Sequence, residues 1–234
     1  MARKQATIFD TISSGDPARV KRFLSRRPEA VAERDAAGVS PLMRALYDGN
    51  AAVVEAILAR SPELDLFEAA ALGETETLRG LLGRSKRRAN AFSPDGFAPL
   101  HLAAYYGRTE AARLLVERGA DVETAARNPR LATVRPLHSA AAGRATEVAA
   151  LLLEHGADPN AVQAGGWTPL HAAAANGNAE LVRLLLKRGA DPKRSADDRT
   201  PPIEFAIENR HHEVVELLQR ATRRGRRVAV ARRR

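Results

Sequence analysis

The 234-residue sequence contains no cysteine, so neither a disulfide nor a cysteine-ligated zinc can hold its fold together, and a reducing compartment is the expected setting. Aromatic side chains are scarce, ten in all, which makes the place of each informative. No apolar run approaches the ~18 residues that a membrane-spanning helix needs. Met1 to Gly15 also lacks the continuous apolar stretch of a secretory leader. A cytoplasmic protein without a transmembrane segment is expected. Lysine is sparse too: 32 of the 37 basic residues are arginine, which with abundant alanine points to a GC-rich, bacterial coding sequence. There is no serine nucleophile motif, no phosphate-loop pattern and no carboxylate pair spaced for acid–base work. The expectation is therefore no enzyme, no cofactor, no metal and no small-molecule substrate.

What is present is enough apolar material, 44%, for a sizeable core, and a net charge of +9 with an uneven distribution. Residues 220 to 234 carry eight arginines and no acid; without them, 29 basic side chains face 28 acidic ones. The body is nearly neutral and the tail holds the charge.

The chain repeats itself. Pro99-Leu100-His101, Pro136-Leu137-His138 and Thr168-Pro169-Leu170-His171 align, and 18 residues after each His stands a Gly-Ala-Asp, at Gly119, Gly156 and Gly189. Pro136, Pro169 and Pro202 are 33 residues apart, while Pro99 to Pro136 is 37, a four-residue insertion within 124 to 134. Weaker copies start near residues 7, 41 and 65, so seven units begin near 7, 41, 65, 99, 136, 169 and 202. They occupy residues 1–222 and leave 223–234 as a basic tail expected to be disordered.

Each unit reads as two helices. Thr168-Pro169 starts the first, with a hydroxyl to cap free N–H groups and a proline where no donor is needed. Small residues follow, and Gly177 ends the helix by permitting positive φ. The second helix carries an apolar stripe, as in Val148, Leu151, Leu152 and in Leu181, Leu184, Leu185. Its acids lie in the first turn (Glu110, Glu147, Glu180, Glu213) and its bases at the end, as the helix dipole favours. Gly-Ala-Asp then opens an extended connection that can form a projecting hairpin.

These units resemble ankyrin repeats over about residues 7 to 220, most strongly 90 to 192. The resemblance implies an all-α solenoid of stacked antiparallel helix pairs joined by short β-hairpin-like fingers. Departures are local. Ala98 and Arg135 replace the capping threonine, each costing about 0.5–2 kcal/mol, Arg144 and Arg210 replace the glycine between helices, and the second unit lacks its hairpin. No unit can bury its stripe alone, so neighbours supply the core.

The resemblance also gives His101, His138 and His171 a structural role, bonding to backbone and to the capping threonine, rather than a metal-binding one. His211-His212 sits at a predicted helix start, with adjacent side chains pointing to different faces; a solvated helix end is expected there. Gly165-Gly166 is expected to be a tight turn. By resemblance, partners bind on the concave face made by hairpin tips and first helices. Tyr47, Phe92, Phe97, Tyr105, Tyr106 and Trp167 fall at such positions, with Arg130, Val134, Val162, Gln163 and Asn176 as a rim. Aromatics suit this role because they bury much area with little side-chain entropy to lose, although Phe97, Tyr105 and Trp167 can equally pack between adjacent hairpins. A protein partner is thus expected. The alternative is polyanion binding, to nucleic acid or an anionic membrane surface, through Arg223, Arg224, Arg226, Arg227, Arg232, Arg233 and Arg234.

Overall fold

A computed structural model of the chain describes the backbone of residues 6–231 and side chains through Arg223. The side chains of Arg224, Arg226, Arg227, Arg232, Arg233 and Arg234 in the basic tail lie outside the described residues.

Most helices begin where the sequence offers a cap or a proline; α6, α9 and α11, each the second helix of its pair, begin with neither. In the first part of the chain α1 (Ile8–Ile12) is capped by Thr7, α2 (Pro17–Arg26) by Asp16, α3 (Pro41–Tyr47) by Ser40 and α4 (Ala51–Leu58) by Asn50. Next come α5 (Leu66–Leu72), α6 (Thr75–Leu82) and the single turn α7 (Lys86–Ala89), which Ser85 caps. Four longer pairs complete the described chain. They are α8 (Pro99–Tyr105) with α9 (Thr109–Glu117), α10 (Pro136–Ala142) with α11 (Thr146–Glu154), α12 (Pro169–Ala175) with α13 (Ala179–Lys187), and α14 (Pro202–Glu208) with α15 (His212–Ala231). No strand occurs among the described residues. The architecture is an all-α solenoid. The segment expected as a tail from 223 begins inside the backbone span of α15.

The chain forms two compact units, Met1–Glu68 and Ala69–Arg234. In the first, α1 packs on α3 and α2 on α4, enclosing Ile8, Val20, Leu24, Leu42, Val53 and Ile57. In the second, α8, α10, α12 and α14 pack in file, as do α9, α11, α13 and α15. Leu100, Leu137 and Leu170 from the first row and Leu115, Leu152 and Leu185 from the second are all fully buried. Each is worth about 1.5–3 kcal/mol of burial. The alanines of the first row, Ala103, Ala140 and Ala173 among them, are also fully buried, and their small size lets this row pack more closely than the other.

Between the two helices of a pair the chain turns through a left-handed residue. Gly107 and Gly177 serve there with φ of 65° and 67°, and Arg144 and Arg210 adopt the same conformation at 60° and 59°. The fingers that join pairs in the second unit are closed by paired backbone bonds rather than by strands. Ser93 N–H donates to Phe97 O and Gln163 N–H to Trp167 O, both at 2.9 Å. Gly165 and Gly166 take φ of 82° and 76° within the second of these turns. Adjacent fingers join edge to edge, Arg127 N–H donating to Gly96 O at 2.7 Å and Asp197 N–H to Gly165 O at 3.0 Å.

Candidate functional site

Three buried histidines tie the second unit together. In each, Nδ1 accepts the backbone N–H at the start of its own helix, from Ala98, Arg135 and Thr168. The proton therefore sits on Nε2. It is donated to a carbonyl in the following finger: His101 to Val134 at 3.0 Å, His138 to Ala161 at 3.0 Å and His171 to Thr200 at 3.2 Å. Only His171 also receives a threonine hydroxyl, from Thr168. Burial disfavours the charged imidazolium, so all three titrate below the usual histidine range, His138 down to about 4.

Two further rows of polar links fix the spacing of pairs. Asn90 Nδ2–H donates to Gly119 O and its Oδ1 accepts Asp121 N–H, each at 2.8 Å; Asn160 repeats this with Gly189 and Asp191. On the opposite end of the helices, Arg108 donates to Ala71 O, Asn178 to Arg144 O and His211 to Ala175 O. His211 is thus half-buried and engaged, not the solvated helix end expected from the sequence, whereas His212 is exposed. The signal was available in its register, which it shares with Arg108 and Asn178.

In the first unit Glu68 fills the histidine register without the motif. Its Oε2 accepts Asp65 N–H at 2.8 Å, as a histidine Nδ1 would, and Ser40 Oγ–H donates to its Oε1. This carboxylate links to the preceding pair instead of the following finger.

The candidate partner residues sort by what remains open. Trp167 lies with its ring 4.5 Å from Phe205 and 5.7 Å from His171, Phe97 sits edge-on to His101 at 6.0 Å, and Arg127 stacks 3.9 Å over Phe92. All three rings are half-buried. Tyr105 and Tyr106 meet edge to face at 5.1 Å but differ: Tyr105 is 49% exposed, while Tyr106 is half-buried with its hydroxyl enclosed and unpartnered among the described residues. That burial, with Tyr105 beside it, raises the Tyr106 phenol well above its ordinary pKa. Val162 and Gln163 are half-buried, and Arg130 is exposed at the tip of the enlarged finger. Tyr47, in the first unit, is 38% exposed.

Two rim residues do not stand free. Val134, expected at the surface, is 8% exposed, because its carbonyl is drawn inward by His101 and by Ala126 N–H. Asn176 spends its amide on the carbonyls of Ala141 and Ala142, and its own carbonyl accepts Arg144. The sequence reading missed Leu131, 46% exposed beside Arg130. Asn128 holds this finger tip in shape, its Oδ1 accepting Arg130 N–H at 2.9 Å and its Nδ2–H donating to Asp95 O at 2.8 Å. Among the described residues no group of three histidine or acidic side chains is placed to hold a metal, and no helix is long and apolar enough to cross a membrane.

Comparison with known proteins agrees with this geometry. A family model described as ankyrin repeats (3 copies) matches residues 8–126, 66–163 and 137–225. Protein phosphatase 1 regulatory subunit 12A of Mus musculus is 44% identical over 66 residues, and the Rattus norvegicus protein of the same name matches equally. Those alignments cover 28% of this chain and only 6% of either relative. With the family model spanning nearly the whole chain and the helix pairs arranged as described, the chain belongs to the ankyrin-repeat family.

Proposed function

We propose that this protein is a protein-interaction scaffold of seven repeats, one for each helix pair, that takes a partner on the side of its second unit formed by finger tips and first helices. The observation that carries this reading is a division of labour. The histidines and asparagines of the repeat are engaged in stacking, yet the side chains of Tyr105, Leu131 and Arg130 remain outward. An exposed tyrosine and a leucine on a finger braced by Asn128 are preorganised anchors, which lose little entropy on association. That the relatives are regulatory subunits supports a role exercised through another protein; the short match gives no ground for carrying over their phosphatase.

Replacing Tyr105 by Ala and Leu131 by Ser tests this. A partner captured from the native organism by the full chain should bind the double variant more weakly by over ~1 kcal/mol, with the melting temperature nearly unchanged. Undiminished binding would exclude this face. A second reading, polyanion binding through the arginine tail, rests on the eight arginines within 220–234. Nucleic-acid affinity that survives truncation after Arg220 would rule it out.

A further inference from the structure

The repeat supplies its own control for one basic segment. Twenty residues beyond the first residue of α8, α10 and α12 begin Gly119-Ala120-Asp121, Gly156-Ala157-Asp158 and Gly189-Ala190-Asp191. The same count from Leu66, the first residue of α5, reaches Lys86-Arg87-Arg88. In this repeat the left-handed glycine after the second helix, Gly83, comes three residues sooner than in the later ones, and the chain then adds the helical turn α7, which carries three bases where they carry an acid. Stacking does not require this. Asn90 makes the same two links to Gly119 and Asp121 that Asn160 makes to the next pair, and Ala89 is fully buried. Arg88 has a structural task, donating to Leu81 O at 2.7 Å. Lys86 and Arg87 are exposed, and the Lys86 stem lies across Gly119.

Lys86, with Arg127, borders a groove of ≈ 680 Å³, a size within the range of ligand clefts. Lys86, Asn90, Phe92, Asp121, Thr124 and Arg127 line it. The exposed Arg127 guanidinium stacks 3.9 Å over the Phe92 ring, which holds its plane. Neither Lys86 nor Arg127 lies within ion-pair distance of a carboxylate among the described residues. The one acid in the lining, Asp121, turns its Oδ1 to Glu123 N–H at 2.9 Å.

We infer that this groove, apart from the face that carries Tyr105, is a second binding site and takes an acidic peptide segment of a partner protein, its carboxylates meeting Lys86 and Arg127. A nucleic acid fits less well. The groove offers two cations where a phosphate backbone rewards a longer row, and its single aromatic face is already covered by Arg127, which removes the stacking platform that bases need.

The test uses the full chain and a fluorescein-labelled dodecapeptide of Asp, Glu and Gly, followed by anisotropy at about 150 mM salt, where exposed charges more than roughly 8 Å apart are screened. Two variants are compared: Lys86→Gln/Arg127→Gln in the groove, and Arg232→Gln/Arg233→Gln/Arg234→Gln in the tail, which removes more charge elsewhere. The groove variant should lose at least about tenfold in affinity and the tail variant less than about twofold, with Tyr105→Ala neutral and a thymidine dodecamer a poor competitor. Because Lys86 and Arg127 are exposed, the groove variant should melt within a few degrees of the parent. A tail variant that loses as much as the groove variant, a dodecamer that displaces the peptide, or no saturable peptide binding by the full chain would each overturn the inference.

Discussion

Arg135 Nη1 donates to Glu123 Oε2 at 2.7 Å, and both residues stand in registers where the following unit carries something else. Thr168 occupies the register of Arg135, and Asn160 that of Glu123. Asn160 both donates to Gly189 O and accepts from Asp191 N–H. Glu123 can only accept; it takes Asp158 N–H at 2.9 Å and has no donor to offer Gly156. The two departures therefore compensate each other, the arginine neutralising the carboxylate that the lost asparagine left behind. Arg135→Thr together with Glu123→Asn should raise unfolding stability by about 1–2 kcal/mol, by restoring a hydroxyl cap and a ladder bond. Either change alone strands one charge, so a double-mutant cycle in urea should show coupling of ~0.5 kcal/mol or more. Strict additivity would mean that the pair is only a solvated contact.

The same registers explain what could be read without coordinates. The first helices begin at Pro99, Pro136, Pro169 and Pro202 because the local signals, an extended residue followed by proline, act within three or four residues. Most links between repeats join residues 23 to 39 apart, as from His138 to Ala161 or from Arg60 to Lys21, and so escape any local signal. Periodicity recovers part of them, since equal registers become neighbours, and it would have flagged His211 and Lys86-Arg87-Arg88. It does not foretell direction. Glu68 sits in the histidine register but reaches back to Ser40 rather than forward, and Val134 turns inward because a histidine 33 residues earlier claims its carbonyl.

Acid should unfold the protein through its histidines. His138 titrates near 4 in the folded chain and near 6.5 when unfolded, because burial disfavours its charged form. Between those values the unfolded state binds a proton that the folded state does not. The contribution is therefore complete above about pH 6.5 and is lost as pH falls toward about 4, amounting to ~3 kcal/mol. His101 and His171, also lowered by burial, add loss in the same direction. Urea midpoints at about pH 7.5 and 4.5 for the parent and for His138→Gln provide the measurement. The parent should lose about 2–3 kcal/mol more than the variant, and parallel losses would remove His138 as a cause.

Arg144 and Arg210 hold the left-handed conformation that Gly107 and Gly177 hold in the same register. A side chain there costs roughly 1–2 kcal/mol in Cβ crowding, partly offset because glycine frees the unfolded chain by about 0.4–1 kcal/mol. Arg210→Gly should stabilise by ~0.5–1 kcal/mol. Arg144→Gly should gain less, since the Arg144 guanidinium donates to Asn176 O at 2.6 Å. Thermal unfolding of the two single variants ranks them directly, and equal gains would show that this bond contributes nothing.

Gly143 and Gly156 test backbone approach against backbone strain. A Cβ on Gly143 would lie 1.8 Å from Tyr105 O, in a right-handed conformation that any residue can adopt. One on Gly156 would meet nothing within 4 Å, but its φ of 90° is left-handed. Gly143→Ala must therefore push α10 from α8 and should cost about 2–3 kcal/mol, the upper range for overpacking a closed contact. Gly156→Ala carries only local strain, about 1 kcal/mol. The first should also weaken partner capture through Tyr105, because the displaced carbonyl belongs to that residue, while the second should leave capture unchanged. If Gly156→Ala proves the more damaging of the two, the close packing of the first-helix row is not what holds these pairs in place.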